Sequence, residues 1–179
     1  KSALLNATIS GFSPSRSSAT GKAAALATNT TMKEHLLAAS WPVRGNQTMA
    51  EVTQRNVELV GVPEWTGDEQ ALARELQRKA NVEVEGLKTE PAPMLGPTVQ
   101  LPSGNDCGDI SWVVPMTRIS FPSNIPNIGY HHWAAGVVLA TSIAHKGAVA
   151  GTKALAASVV EFLQDPELVV EAKRAFASE

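Results

Sequence analysis

The longest apolar stretch of the chain, Trp133 to Leu163, most narrows what it can become. It is long enough to raise the question of a membrane span. His145, Lys146 and Lys153 interrupt it, however, and Ala and Gly dominate it, so a spanning helix would carry charge into hydrocarbon. We read it as buried helices, from His132 or Trp133 to about Lys146 and from Ala148 to Gln164. A last helix is expected from Pro166 to Ala177, with Asp165 as N-cap and Pro166 at the first helical position. The 179 residues, 44% of them hydrophobic, can close a core of one domain, or of one domain and part of another.

Upstream, Pro42 and Gly45 break the pattern between Trp41 and Asn46, and a domain boundary is expected there. A capping box of Thr48 with Glu51 then opens a helix whose apolar stripe is Met49, Val52, Leu59 and Val60 and which stops at Gly61 and Pro63. A second box, Thr66 with Glu69, opens a helix carrying Leu72 and Leu76 and ending near Asn81. Residues 1 to 22 read as loop or short edge strand, Lys22 to Thr28 as a short helical piece, and Thr30 to Ala38 as a strand. Brief β structure is expected at Val82 to Val84, and a longer strand from Trp112 to Phe121 with Pro115 near its start or at an edge. Strands followed by helices make an α/β pattern.

A net charge of −2, from 15 basic and 17 acidic residues, offers no positive field for a phosphate backbone, so nucleic acid is not expected as a partner. The single cysteine, Cys107, has no internal disulfide partner, which suits a reducing compartment such as the cytoplasm. The N-terminus reads as a chain entered partway through, without a signal core.

Residues able to do chemistry gather in three places: Gly104 to Trp112, Gly129 to Trp133, and His145-Lys146-Gly147. Asp106 and Asp109 flank Gly108, so the turn could aim a carboxylate at a metal or a histidine, although Asp, Asn and Gly are also what any turn uses. His131 follows a loop and precedes a helix; it could ligate a metal with Asp106 or Asp109 behind it, or merely satisfy a helix start. His145 and Lys146 lie in apolar surroundings where each needs a partner or an aqueous cleft. A helix end at Gly147 is the preferred account of them. Close packing explains Gly147 and Gly151. Cys107 is rejected as a nucleophile because neighbouring carboxylates oppose the thiolate. No phosphate-binding glycine loop and no Cys-x-x-Cys occurs.

Gly104 to Trp112, His131-His132-Trp133 and Ile143 to Gly147 together resemble metal-dependent amidohydrolases of the p-aminobenzoyl-glutamate hydrolase kind, within the aminoacylase and glutamate-carboxypeptidase group. The likeness extends upstream through Asn46 to Met49, Val60 to Pro63 and Asp68-Glu69, covering most of residues 22 to 179. The resemblance implies an α/β fold, a catalytic domain with a mixed sheet and flanking helices, interrupted by an α+β lid domain that makes the dimer contact. Residues 1 to 45 would then be the remnant of the lid, and 46 to 179 the C-terminal half of the catalytic domain.

It also implies two divalent ions, Zn or Mn. His131 matches the last metal ligand, His132 is the alternative ligand beside it, and Asp109 lies in the acidic loop facing the metals. Asp106, His132 and His145 stand as neighbours or substrate contacts. The implied reaction is hydrolysis of an amide bond next to a carboxylate, as in p-aminobenzoyl-glutamate, an N-acyl amino acid or a dipeptide. The other ligands and the catalytic glutamate of such enzymes lie in an N-terminal half, and no His-x-Asp or Glu-Glu pair occurs here. The isolated chain is therefore expected to be inactive and without a catalytic residue of its own, partnered by a complementing N-terminal half or a second copy. The alternatives are a non-catalytic interaction module, and an independent α/β binding domain whose acidic loop only caps structure.

Overall fold

The computed structural model describes residues 14–35, 40–94 and 106–178. Seven helices occur among them: α1 Pro14–Ala27, α2 Gln47–Val60, α3 Gly67–Lys79, α4 Asp106–Ser111, α5 Trp133–Leu139, α6 Ser142–Gln164 and α7 Pro166–Ser178. The chain forms two compact units. One comprises the described residues of Lys1–Arg44 and Thr98–Val113, the other those of Gly45–Pro97 and Val114–Glu179. Among the described residues no helix is long and apolar enough to cross a membrane.

The expected α/β fold with a mixed sheet is overturned: the described residues are helical and contain no sheet, only an isolated bridge at residue 42. Residues 14–22, read as loop or edge strand, belong to α1. At its end Thr28 Oγ1 donates to Ala24 O and Asn29 turns to φ 52°, after which 30–35 are irregular; 36–38 of the expected strand, like 1–13 of the opening, lie outside the described residues.

Trp112 to Phe121 has the composition of a strand but no strand partner among the described residues. Trp112 and Val113 close a turn on Asp109 and Ile110, and farther on Met116 O accepts the Asn46 N–H at 2.8 Å. Branched and aromatic side chains favour a pleated surface that neighbours supply rather than making one alone. Pro115 and Pro122 also remove donors that a ladder would need.

Val82 to Val84 is likewise unpaired. The loop after it is held instead by two glutamines of α3. Gln70 exchanges hydrogen bonds with the Leu87 N–H and C=O, and fully buried Gln77 accepts from Gly86 N at 2.8 Å and donates to Pro126 O at 3.0 Å.

Helix starts were partly legible. The Thr66–Glu69 box forms as expected, and Asp165 Oδ1 accepts the Glu167 N–H at the start of α7. The expected Thr48–Glu51 box does not form. Asn46 caps α2 by accepting from Met49 N at 3.1 Å, and its amide also donates to Ala172 O of α7 at 2.9 Å, so one buried side chain joins two helices. Gly61 ends α2 at φ 70°, a conformation that favours glycine.

The break in the C-terminal helices falls at Ala140–Thr141, not at the expected Gly147. Gly147 lies inside α6, and a β-carbon there would stand 2.4 Å from Pro122 O. At Gly151 it would stand 2.2 Å from the Phe121 ring. These glycines are small because the 121–123 segment crosses the helix at close range. The core of this unit joins Ala73, Leu76, Leu87, Ile125, Ile128, Ala134, Val138 and Ile143.

Candidate functional site

In the first unit the acidic run is the short helix α4 rather than a loop. Three residues of this helix and Trp112 just after it hold residues 41–44. Asp109 Oδ1 accepts the Trp41 N–H at 2.8 Å, and Ser111 Oγ accepts from Arg44 N at 2.9 Å while donating to Gly108 O at 2.6 Å. Trp112 Nε1 donates to Pro42 O at 2.9 Å, its ring lies 5.3 Å from Trp41, and the Arg44 guanidinium sits 5.4 Å above it. Gly108 permits the approach: a β-carbon would fall 1.7 Å from Trp41 O. One carboxylate oxygen of Asp109 is thus spent on a backbone amide. Asp106 is exposed at the first turn and Cys107 is half-buried.

The second unit carries His131, His132 and His145. His132 is the N-cap of α5, and its Nδ1 accepts the Ala134 N–H at 3.2 Å. An imidazole that accepts at Nδ1 carries its proton on Nε2, so neither nitrogen offers a lone pair to an ion without breaking the cap or shedding that proton. His131 is exposed and makes no hydrogen bond among the described residues, leaving its ring free. Of the two adjacent histidines, His131 is the one open to a ligand. Tyr130 beside it is 78% exposed and borders an apolar cavity of about 360 Å³ that Val57, Phe121, Ile125, Ile128 and Ala154 also line.

His145 does not lie deep in apolar surroundings. It is exposed, on a groove shared with Val60, Val62, Val149 and Lys153. Its neighbour Lys146 takes the buried partner that such a position demands. Lys146 Nζ donates to Glu69 Oε2 at 2.8 Å and to Glu64 O at 3.0 Å, while Ser142 Oγ donates to Glu69 Oε1 at 2.5 Å. Glu69 also accepts the Thr66 N–H at 2.8 Å. With these donors on one carboxylate, the Lys146 ammonium first among them, its pKa is held down to about 2 despite the burial that opposes ionisation. This cluster was missed as a unit in the sequence. The available signal was a capping-box glutamate with one oxygen to spare and a lysine in an apolar helix.

Among the described residues, no group of three or more His, Cys, Asp or Glu side chains is placed to hold a metal ion. Asp106 and Asp109 belong to one unit and the three histidines to the other. A catalytic metal site takes three protein ligands, and among the described residues one free imidazole does not make such a set.

The geometry therefore defines a helical unit with an unengaged histidine at a helix start among the described residues. The comparisons add a particular protein. The chain is 27% identical to a p-aminobenzoyl-glutamate hydrolase subunit of Escherichia coli (strain K12) over 176 aligned positions, which cover 84% of this chain and 37% of that protein. The resemblance read from the motifs is thus found over most of the chain, and the chain spans little more than a third of the relative's length. No protein-family model matches the chain, and no solved structure does.

Proposed function

We propose that this chain supplies one part of an amidohydrolase that cleaves an amide bond next to a carboxylate, with p-aminobenzoyl-glutamate as the first substrate to try. The observation that carries the reading is the similarity to the Escherichia coli hydrolase subunit over 84% of the chain. The free ring of His131, beside a His132 committed to its helix cap, supports it. In this reading His131 contributes one ligand to a site whose remaining ligands and general base come from outside the chain, on a complementing part of the enzyme. The divalent pair bound there would polarise the amide carbonyl and lower the pKa of water. The chain itself contributes the ligand ring, the helix start that orients it and the packing that holds that start. Alone, it turns over no substrate.

The test is a chimera: the Escherichia coli subunit carrying this chain in place of the stretch it matches, assayed on p-aminobenzoyl-glutamate with added Zn or Mn. Hydrolysis is expected, with His131→Ala abolishing it and His132→Asn, which keeps a good cap, retaining it. A folded chimera without hydrolysis, or hydrolysis by the isolated 179-residue chain, overturns the reading.

A further inference from the structure

Helix α6 is apolar on two opposite sides. Its inward stripe, Ile143, Ala144, Gly147, Gly151 and Ala154, is buried. Its outward side carries Val149, Leu155, Val159, Val160 and Leu163, between 49% and 77% exposed. At about 100° per residue these five sweep an arc of about 140°. That is the breadth of a helix face that meets a domain core, and wider than the two-position seam of a coiled coil. Within the arc the polar positions are Ser142 at its edge, His145 and Thr152, so covering it buries no carboxylate, ammonium or guanidinium.

Resting on the reading of the chain as one part of a hydrolase, we infer that this outward face of α6 is where the rest of that enzyme packs. The occupant is an apolar surface of the portion corresponding to the length of the Escherichia coli relative that this chain does not span. Two observations choose it over a second copy of the chain. The arc is broad like a core face rather than narrow like a dimer seam, and the relative's unmatched length is more than ample to supply the cover.

Cysteine labelling tests the inference. In a Cys107→Ser background, Val159→Cys and Leu163→Cys are alkylated in the isolated chain and in the chimera, with Lys173→Cys on the exposed side of α7 as control. The expected result is rapid labelling of all three in the isolated chain, and at least a 100-fold slowing at positions 159 and 163 alone in the chimera. Equal reactivity in both overturns the inference. So does protection in the isolated chain that grows with its concentration, since a second copy would then be the occupant. Should the chimera not fold, the labelling is read on the chain co-produced with the remaining part of the Escherichia coli subunit, and lack of protection there overturns the inference. A chimera that hydrolyses its substrate while position 159 stays reactive refutes the surface and spares the function. One that protects position 159 without hydrolysis does the reverse.

Discussion

Two histidine-bearing stretches of the second unit, Ser142–Gly147 and Gly129–Trp133, look equally rich in chemistry as sequence, and the fold treats them differently. In the first, Ser142 and Lys146 grip Glu69, Ile143 and Ala144 enter the core, and Gly147 admits the Pro122 backbone, so five of its residues are occupied internally. In the second, His132 alone has a hydrogen-bonding task at its side chain, while Tyr130 and His131 face outward. The difference teaches that a cluster of polar residue types becomes a candidate site where the fold leaves side chains without internal partners. Where most groups are matched, as in Ser142–Gly147 apart from the exposed His145, the same types act as a clamp.

Substitutions can break this contrast. The largest effect is expected from Gly147→Val, whose side chain would collide with main-chain atoms of Pro122 and Ser123 that cannot swing aside. A loss of about 3 kcal/mol or more, read from urea unfolding, is expected. A near-neutral result would mean the crossing is not held as described. Next comes Glu69→Gln, which removes the charge that faces Lys146 in a mostly buried setting; a loss of about 2 kcal/mol is expected.

The pH dependence sharpens the same point. Because the Glu69 pKa in the folded chain is about 2 against an ordinary 4.5, its contribution is complete above about pH 4.5 and is lost as pH falls towards 2. Arg55 and Asn56 lower the Glu161 pKa and add a loss of the same sign. Unfolding curves between pH 5 and pH 2 should therefore fall steeply for the native chain and less so for Glu69→Gln, and parallel curves would refute the clamp.

In the other stretch smaller changes are expected. His132→Ala removes a helix cap and should cost about 1 kcal/mol, with His132→Asn restoring most of it. His131→Ala and His145→Ala should each move stability by no more than about 0.5 kcal/mol. A large loss at position 131 would show that its ring is a packing element and remove the physical basis for treating it as a ligand.

Much of the helical half of the fold was legible from local chemistry. The Thr66–Glu69 box, the stop at Gly61 and the Asp165–Pro166 start depend on residues within one turn of each other. Errors arose where a distant partner decided. Asn46 displaces Thr48 as cap while binding the far Ala172 carbonyl, and Gly147 reads as a helix end because a crossing backbone is not written beside it. The strand expected from Trp112 to Phe121 failed for the same reason, since a ladder needs a second strand and composition supplies one side only. At the candidate site the sequence pointed to the residues worth examining but not to their states. That Asp109 is spent on Trp41 and His132 on Ala134, while His131 is free, is a matter of which donors arrive nearby.

The order of residues by itself determined several helix boundaries, the near balance of charge, and the likeness to an amide hydrolase, because caps, charge and motifs are carried by the residues themselves. Only the tertiary structure decided which polar groups are matched, which glycines admit a neighbouring chain and which apolar face of α6 stays open. Those outcomes are set by contacts between segments up to 126 positions apart, as between Asn46 and Ala172, and no local preference encodes them.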